Sequence, residues 1–341
     1  MMKSKKVLVT GATGRVGLNL IPELIKKNYE VTALVMQNDA NLYKIKKFGV
    51  NIIYGNITNY NDVELAVQNV NAIVHLAAIM PAPTSTVKID KTLTYDRFFQ
   101  FDVNIKGTFN ILEAARRLRP LPHLIFASTD HTYPVTLNRY LPVDENHPQN
   151  PITMYGLSKV LGEKMCLEYG TEFKMPITIA RFGWVWAADE ILNLFSLDWW
   201  IKQSGGIASE SMETLKNKED KLVCLLDENE KPLKIHVADV RDIVQGIILM
   251  LENDNAIGEV FNVAGPAPFA FDSAVKLLSN STGKDYVCIK HPNYTTFHSY
   301  ELSIAKAKCY LNFNPKYDIF KMIESALAFR EGKDIGVISP F

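Results

Sequence analysis

Tyr155-Gly156-Leu157-Ser158-Lys159 sets a phenol and an amine four residues apart. They lie near the start of a predicted helix, Met154–Tyr169, so they share one of its faces. An unperturbed tyrosine titrates near ~10, and a neighbouring ammonium favours the phenolate and lowers that value. The pair is then an acid/base able to work near neutral pH. By itself the spacing is common. Its weight comes from Ser128 and Thr129, which end a predicted strand, His123–Thr129. Strand ends of open α/β sheets are where ligands bind, and a hydroxyl there can donate to a substrate oxygen. Asp130 and His131 follow at once, either as further proton carriers or as the start of a turn leading to Tyr133-Pro134.

A second constellation lies near the N-terminus. Thr10-Gly11-Ala12-Thr13-Gly14-Arg15-Val16-Gly17 links a predicted strand to a predicted helix. Gly11 permits a tight turn, Gly14 lets backbone N–H groups approach a pyrophosphate, and Gly17 allows close helix–strand packing. The helix N-terminus then turns its positive dipole end toward the phosphates. Dinucleotide sites commonly discriminate at the end of the second strand, by an acid for a ribose 2′-OH or an arginine for a 2′-phosphate. Here that strand ends Leu34-Val35-Met36-Gln37, with Asp39 beyond it and Arg15 in the turn. The choice between NAD and NADP stays open.

These residues need a parallel sheet to bring them together. Val7–Thr10, Glu30–Met36, Asn51–Gly55, Ala72–Ala78, His123–Thr129, Ile177–Gly183 and Val260–Gly265 read as short buried strands. Leu18–Asn28, Asp62–Gln68, Val103–Arg119 and Met154–Tyr169 read as helices between them. The alternation predicts an α/β fold with a doubly wound parallel sheet. Val237–Leu251, Thr296–Tyr310 and Phe320–Phe329 read as later helices, and polar Ser209–Asp220 as a mobile segment. The length of 341 residues fits about two domains. We expect a dinucleotide-binding domain from 1–181 plus 236–265 and a smaller substrate domain from 182–235 plus 266–341.

Composition narrows the function classes. Lys plus Arg and Asp plus Glu both number 37, so the chain is neutral overall. Neutrality gives no general attraction for nucleic acid or an anionic membrane. Cys166, Cys224, Cys288 and Cys309 show no metal-ligand spacing and read as reduced, mostly packed thiols. With no apolar run of spanning length, the expectation is a cytoplasmic protein acting on a small molecule, without a metal.

The same motifs, read in order, resemble the extended short-chain dehydrogenases/reductases, the NAD-dependent epimerase/dehydratase group. The resemblance covers roughly residues 6–270. It includes the glycine turn, Gly55-Asn56-Ile57, His75-Leu76-Ala77-Ala78, Val103-Asn104 through Thr108, Ala127-Ser128-Thr129, the Tyr155/Lys159 pair and His236-Val237-Ala238-Asp239. It implies a cofactor site built from Gly11, Thr13, Gly14, Arg15, Val16, Gly17, Asn56, Ile57, Leu76, Ala77, Ala78 and Asn104, completed by Tyr155 and Lys159. Thr129 would polarise the substrate oxygen, Tyr155 would exchange the proton, and Lys159 would hold the nicotinamide ribose and depress the tyrosine pKa. A homodimer through the helices at Val103–Arg119 and Met154–Tyr169 is also implied.

Ser128-Thr129-Asp130-His131 resembles the Thr-Asp-Glu run of nucleotide-sugar 4,6-dehydratases, with histidine in place of glutamate. Two departures weigh against a nucleotide sugar. Trp184 stands where relatives carry an asparagine, and Pro232, between Lys231 and Lys234, where they carry an arginine. Trp184, Trp186, Trp199 and Trp200 are either the core of the small domain or an aromatic wall suited to a sugar face. Ser128, Trp184 and Trp186 are candidate substrate contacts. The expected activity is NAD(P)-dependent oxidoreduction of a hydroxyl or keto group on a sugar-like substrate. The alternatives are a redox-neutral epimerase or dehydratase and a non-catalytic NAD(P)-sensing binder.

Overall fold

A computed structural model describes residues 5–80, 96–134, 138–203, 221–227, 229–290 and 300–341. The segment Ser209–Asp220 and the start of Thr296–Tyr310 lie outside the described residues. In the first half, strands β1 (Lys6–Thr10), β2 (Glu30–Val35), β3 (Asn51–Tyr54), β4 (Ala72–His75) and β5 (His123–Thr129) alternate with helices. These are α1 (Arg15–Lys26), α2 (Leu42–Lys46), α3 (Tyr60–Ala66), α4 (Arg97–Phe101) and α5 (Gly107–Ala115). A single π turn, Asp102–Lys106, joins α4 to α5. Then follow α6 (Met154–Phe173), β6 (Ile177–Phe182), β7 (Trp184–Trp186), a 3-10 turn at Glu190–Phe195 and α7 (Leu197–Gln203). The remainder is β8 (Leu222–Leu226), β9 (Lys234–Ile235), β10 (Val237–Asp239), α8 (Val240–Glu252), β11 (Val260–Val263), β12 (Phe269–Ala270), α9 (Phe271–Thr282), β13 (Tyr286–Lys290), α10 (Ala305–Leu311) and α11 (Ile319–Arg330).

Seven strands form one sheet in the order β11-β6-β5-β4-β1-β2-β3, and every pairing in it is parallel. The order reverses between β1 and β4, so their carboxyl ends open a crevice. Each expected strand forms, ending one to three residues earlier where it was drawn too long. Val237–Leu251 differs more: its first three residues pair with Trp184–Trp186 as a strand. Asp239 then caps α8, accepting from the Arg241 N–H. α9 was not expected; its apolar positions Phe271, Ala274, Val275 and Leu278 are spaced as one helical face.

Apolar side chains gather in three clusters. One lies on each face of the sheet, and the third belongs to a second lobe built from Trp186–Trp200, β8, β9, α9 and α11. Residues 302–313 were expected in that lobe. They pack instead on the sheet, where Leu302, Ile304, Ala307, Leu311 and Phe313 join the cluster of α8. Near the end of the chain, Ile338 exchanges hydrogen bonds with Asn19 of α1, at 2.7 and 3.0 Å. Asn41 and Lys44 donate to the carbonyls of Pro340 and Ser339.

α6 lies very close on β5: a Cβ on Gly162 would sit 2.5 Å from the Phe126 ring. Gly162→Val should therefore lower the unfolding free energy by about 1–3 kcal/mol, the usual cost of overpacking. Adding Phe126→Leu should recover part of that loss. Denaturant titrations of the two variants check this.

Candidate active site

α6 begins at Thr153, whose hydroxyl caps the Gly156 N–H at 3.0 Å. At Gly156 the helix presses on the turn after β5, because a Cβ there would collide with the His131 carbonyl. This contact brings Tyr155 beside the end of β5. Its ring lies 6.0 Å from that of His131, edge to face. Thr129 caps the 3-10 turn Asp130–Thr132, accepting from the His131 N–H at 3.2 Å and donating to Asp130 at 3.0 Å.

One turn along α6, Lys159 is buried, with Nζ donating to the Ala127 carbonyl at 2.7 Å and 4.9 Å from the Phe126 ring centroid. Burial lowers its pKa to about 8. The expected depression of Tyr155 is not what the surrounding protein produces. Lost hydration and the Asp130 carboxylate raise the phenol above its ordinary value, outweighing the opposing effects of the Thr129 hydroxyl and the Arg15 charge. Asp130 is buried, and burial raises its pKa as well.

Ser128 turns away from this constellation. Its hydroxyl donates to buried Glu163, so a contact from it to substrate is corrected to a structural role. Glu163 also accepts from Gln149 at 2.6 Å and from Arg181 in a bidentate pair. Asn104 is committed too. From the π turn its amide bonds both the N–H and the carbonyl of Ile79, at 2.7 and 3.0 Å, and donates to Ser158. Ser158 in turn donates to the Tyr155 carbonyl at 2.7 Å. The segment leaving β4 is thereby pinned to the helix that carries the phenol. His75 ends β4 between the hydroxyls of Thr10 and Thr108, and burial with the nearby Lys159 charge lowers it to about 3, neutral at physiological pH.

The glycine turn lies across the crevice. Gly11 has φ +66°, and a Cβ there would sit 2.7 Å from the Ala77 nitrogen, so the turn nestles against Leu76 and Ala77. Gly17 packs on the turn rather than the sheet: a Cβ there would strike the Gly11 carbonyl and Ala12. Gly14 caps α1 without a side chain, which leaves the N–H groups of Arg15 and Val16 in an open first turn. Open N–H groups at a helix start beside a turn with no room for a Cβ fit a pyrophosphate. Leu76, Ala77 and Ala78 are half-buried along the same groove.

Asn56 is exposed, and its side-chain oxygen already accepts from the Thr58 N–H at 3.0 Å. Ile57 is buried behind it. Thr13 donates to Asp39 at 2.5 Å. Arg15 meets Glu190 in a bidentate pair at 2.6 and 2.7 Å. Sequence reading missed Glu190, because nothing along the chain ties position 15 to position 190. The four tryptophans form one block, with neighbouring ring centroids 4.7 to 6.5 Å apart. Trp186 is part of the second lobe's interior, its indole N–H without an acceptor among the described residues, while Trp184 is half-buried.

The sequence model of the NAD dependent epimerase/dehydratase family matches residues 7–193, more than half of the chain. The chain belongs to that family. A Methanocaldococcus jannaschii member bearing a UDP-glucose 4-epimerase name is 32% identical over 178 residues, 52% of this chain and 55% of its own. This chain thus matches about half the length of that relative. The L-arabinose 1-dehydrogenase (NAD(P)(+)) of Haloferax volcanii is 28% identical over 54% of this chain and 69% of its own. A short-chain dehydrogenase/reductase superfamily protein from Agrobacterium tumefaciens, solved with bound NAD, is similar across 96% of this chain and 100% of its own. Its TM-score is 0.82 and its identity 26%.

Lys159 supplies a test through stability. Its folded value of about 8 lies below its ordinary 10.5, so the folded protein releases this proton first. Relative to Lys159→Met, the unfolding free energy should rise as pH climbs from about 8 to about 10.5 and stay level below. The gain should be on the order of 3 kcal/mol, from 1.36 kcal/mol per pKa unit. Chemical denaturation of both proteins across that range measures it.

Proposed function

We propose that this chain transfers hydride between NAD and a carbinol or carbonyl carbon of a small sugar-like substrate. The observation that carries the reading is the meeting of Thr129, Tyr155 and Lys159 at the carboxyl end of β5, across the crevice from the uncapped start of α1. In this reading Thr129 orients the substrate oxygen and Tyr155 exchanges its proton. Lys159 holds ribose hydroxyls while keeping its tie to the Ala127 carbonyl. The nicotinamide, when bound, accepts or returns the hydride. The protein groups hold the Tyr155 pKa up, so a cationic ring beside it is what would bring the phenol toward neutrality. Arg15 is engaged by Glu190 rather than offered to a 2′-phosphate, which supports NAD over NADP.

Several features favour a substrate without a diphosphate. Arg181 is spent on Glu163 and Tyr133. Lys231 and Lys234 are exposed point charges, which lack the fork of the arginine they would replace. The L-arabinose 1-dehydrogenase among the relatives agrees with this, while the UDP-glucose 4-epimerase and dTDP-D-glucose 4,6-dehydratase names among them support the second, redox-neutral reading. A second reading, redox-neutral epimerisation or elimination, is favoured by Asp130, a buried carboxyl held toward its protonated form beside Thr129. His131 would assist as base. In either case we assign substrate selection to the second lobe.

We also propose a homodimer. Phe98, Phe101 and Phe109 from α4 and α5, with Leu157 and Leu161 from α6, are all exposed, and the helices that carry them touch. Large exposed apolar patches mark association surfaces. Light scattering should give a dimer mass for the native protein and a monomer mass for a Phe98→Glu/Leu161→Glu variant.

Turnover is tested by following nicotinamide absorbance with free aldoses and with UDP-glucose as candidate substrates. Net NADH accumulation with an aldose supports the leading reading; product without any net change supports the redox-neutral one. Tyr155→Phe should lose at least ~100-fold in kcat, the scale of general acid–base catalysis, while its NAD affinity stays within a few-fold. An unchanged kcat would remove Tyr155 from the acid/base role.

A further inference from the structure

The Arg15–Glu190 pair joins the glycine turn to the second lobe across 175 residues of sequence. Arg15 is the first residue of α1, the helix whose open N-terminus faces the groove. Glu190 begins the 3-10 turn of the second lobe. The arginine Nε and Nη2 donate to both carboxylate oxygens, and the two side chains are 13% and 4% exposed. The far end of the bridge is braced twice. The Ala187 N–H donates to Glu190 at 3.0 Å, and neighbouring Asp189 accepts from Arg330 of α11 at 2.9 Å. The near end is braced by the turn itself, where the Gly14 N–H donates to the Gly11 carbonyl at 3.1 Å. The guanidinium also lies near enough to Tyr155 for its charge to act on the phenol. The bridge therefore ties the start of α1, beside the place for the pyrophosphate, to the second lobe.

We propose that Arg15 and Glu190 form a latch that a dinucleotide must open both to enter and to leave the groove. This rests on the reading of the groove as an NAD site. A latch differs from a contact in its kinetics. A side chain that merely touches the ligand changes mainly the rate of release. A latch slows entry and release together and leaves the equilibrium nearly unmoved. A guanidinium paired to a carboxylate through two parallel hydrogen bonds is strong and geometrically specific, as a latch requires. Lysine cannot reproduce the fork.

The test is stopped-flow fluorescence of NADH binding to the full chain, with release measured by chasing with excess NAD. Glu190→Gln should raise the entry and release rates together by roughly tenfold, the ratio that corresponds to 1.4 kcal/mol, with Kd within about threefold. Arg15→Lys should show the same pattern more weakly. Unchanged rates in Glu190→Gln, slower release, or faster release alone with a weaker Kd would each overturn the latch. A merely structural pair would lower Tm without moving the two rates together, and that result also overturns it. Failure of the native chain to take up NADH at all would bring down the NAD site, and the latch with it. Thermal melts of the same variants separate a folding defect from an effect on the rates.

Discussion

A carboxylate in the interior must be satisfied from every side, and Glu163 is fully buried. Its partners come from three places: Ser128 at the end of β5, Gln149 from the segment before α6, and Arg181 near the end of β6. Breaking such a pair typically costs about 3–5 kcal/mol, because the remaining charge stays buried. The set holds two adjacent strand ends and one helix at a fixed mutual height. Arg181 carries the network further, to the Tyr133 hydroxyl at 2.7 Å, and Tyr133 passes it to Asn262 of β11 at 2.8 Å. The floor of the site is thus fixed by polar bonds that only one arrangement of these elements can complete.

On that floor the reacting groups are placed by the backbone. Gly156 lets α6 touch the turn after β5, the Ala127 carbonyl sets the reach of Lys159, and the Asn104 amide ties the exit of β4 to the same helix. A π turn is a costly local irregularity, and such turns occur frequently at functional sites. Here it lies where Asn104 must reach two neighbouring elements at once. Tyr155 and Lys159 share a helix, but different surroundings act on them: Lys159 is pushed down by burial, and Tyr155 is pushed up by lost hydration and by Asp130.

The sheet was legible because its strands are short Val/Ile/Leu runs between turn residues, and because the glycine turn stands between a strand and a helix. Tyr155, Lys159 and Thr129 could be found from type and spacing, since helix periodicity and strand ends are local properties. Partners distant along the chain were not legible. Ser128 reads as one more hydroxyl at a strand end; only the fold shows that it faces Glu163. Arg15 reads as a candidate for phosphate until Glu190 is brought to it from 175 residues away. Cys224 and Cys288 look unrelated along the chain, yet parallel pairing sets them opposite each other on β8 and β13. Residues 302–313 were misplaced for the same reason: an amphipathic helix shows that it has an apolar face, not which cluster that face joins.

The bonds between Asn19 and Ile338 span 319 residues. During synthesis, the helix behind the glycine turn is made long before its brace, which follows the last strand of the sheet. Loop closure over such a separation comes late in folding. A ribosome-bound chain can therefore collapse its first strands and helices while the turn meant for phosphates still lacks its final support. Full support of the phosphate-binding turn then waits on residue 338, not on the strands and helices around the turn alone.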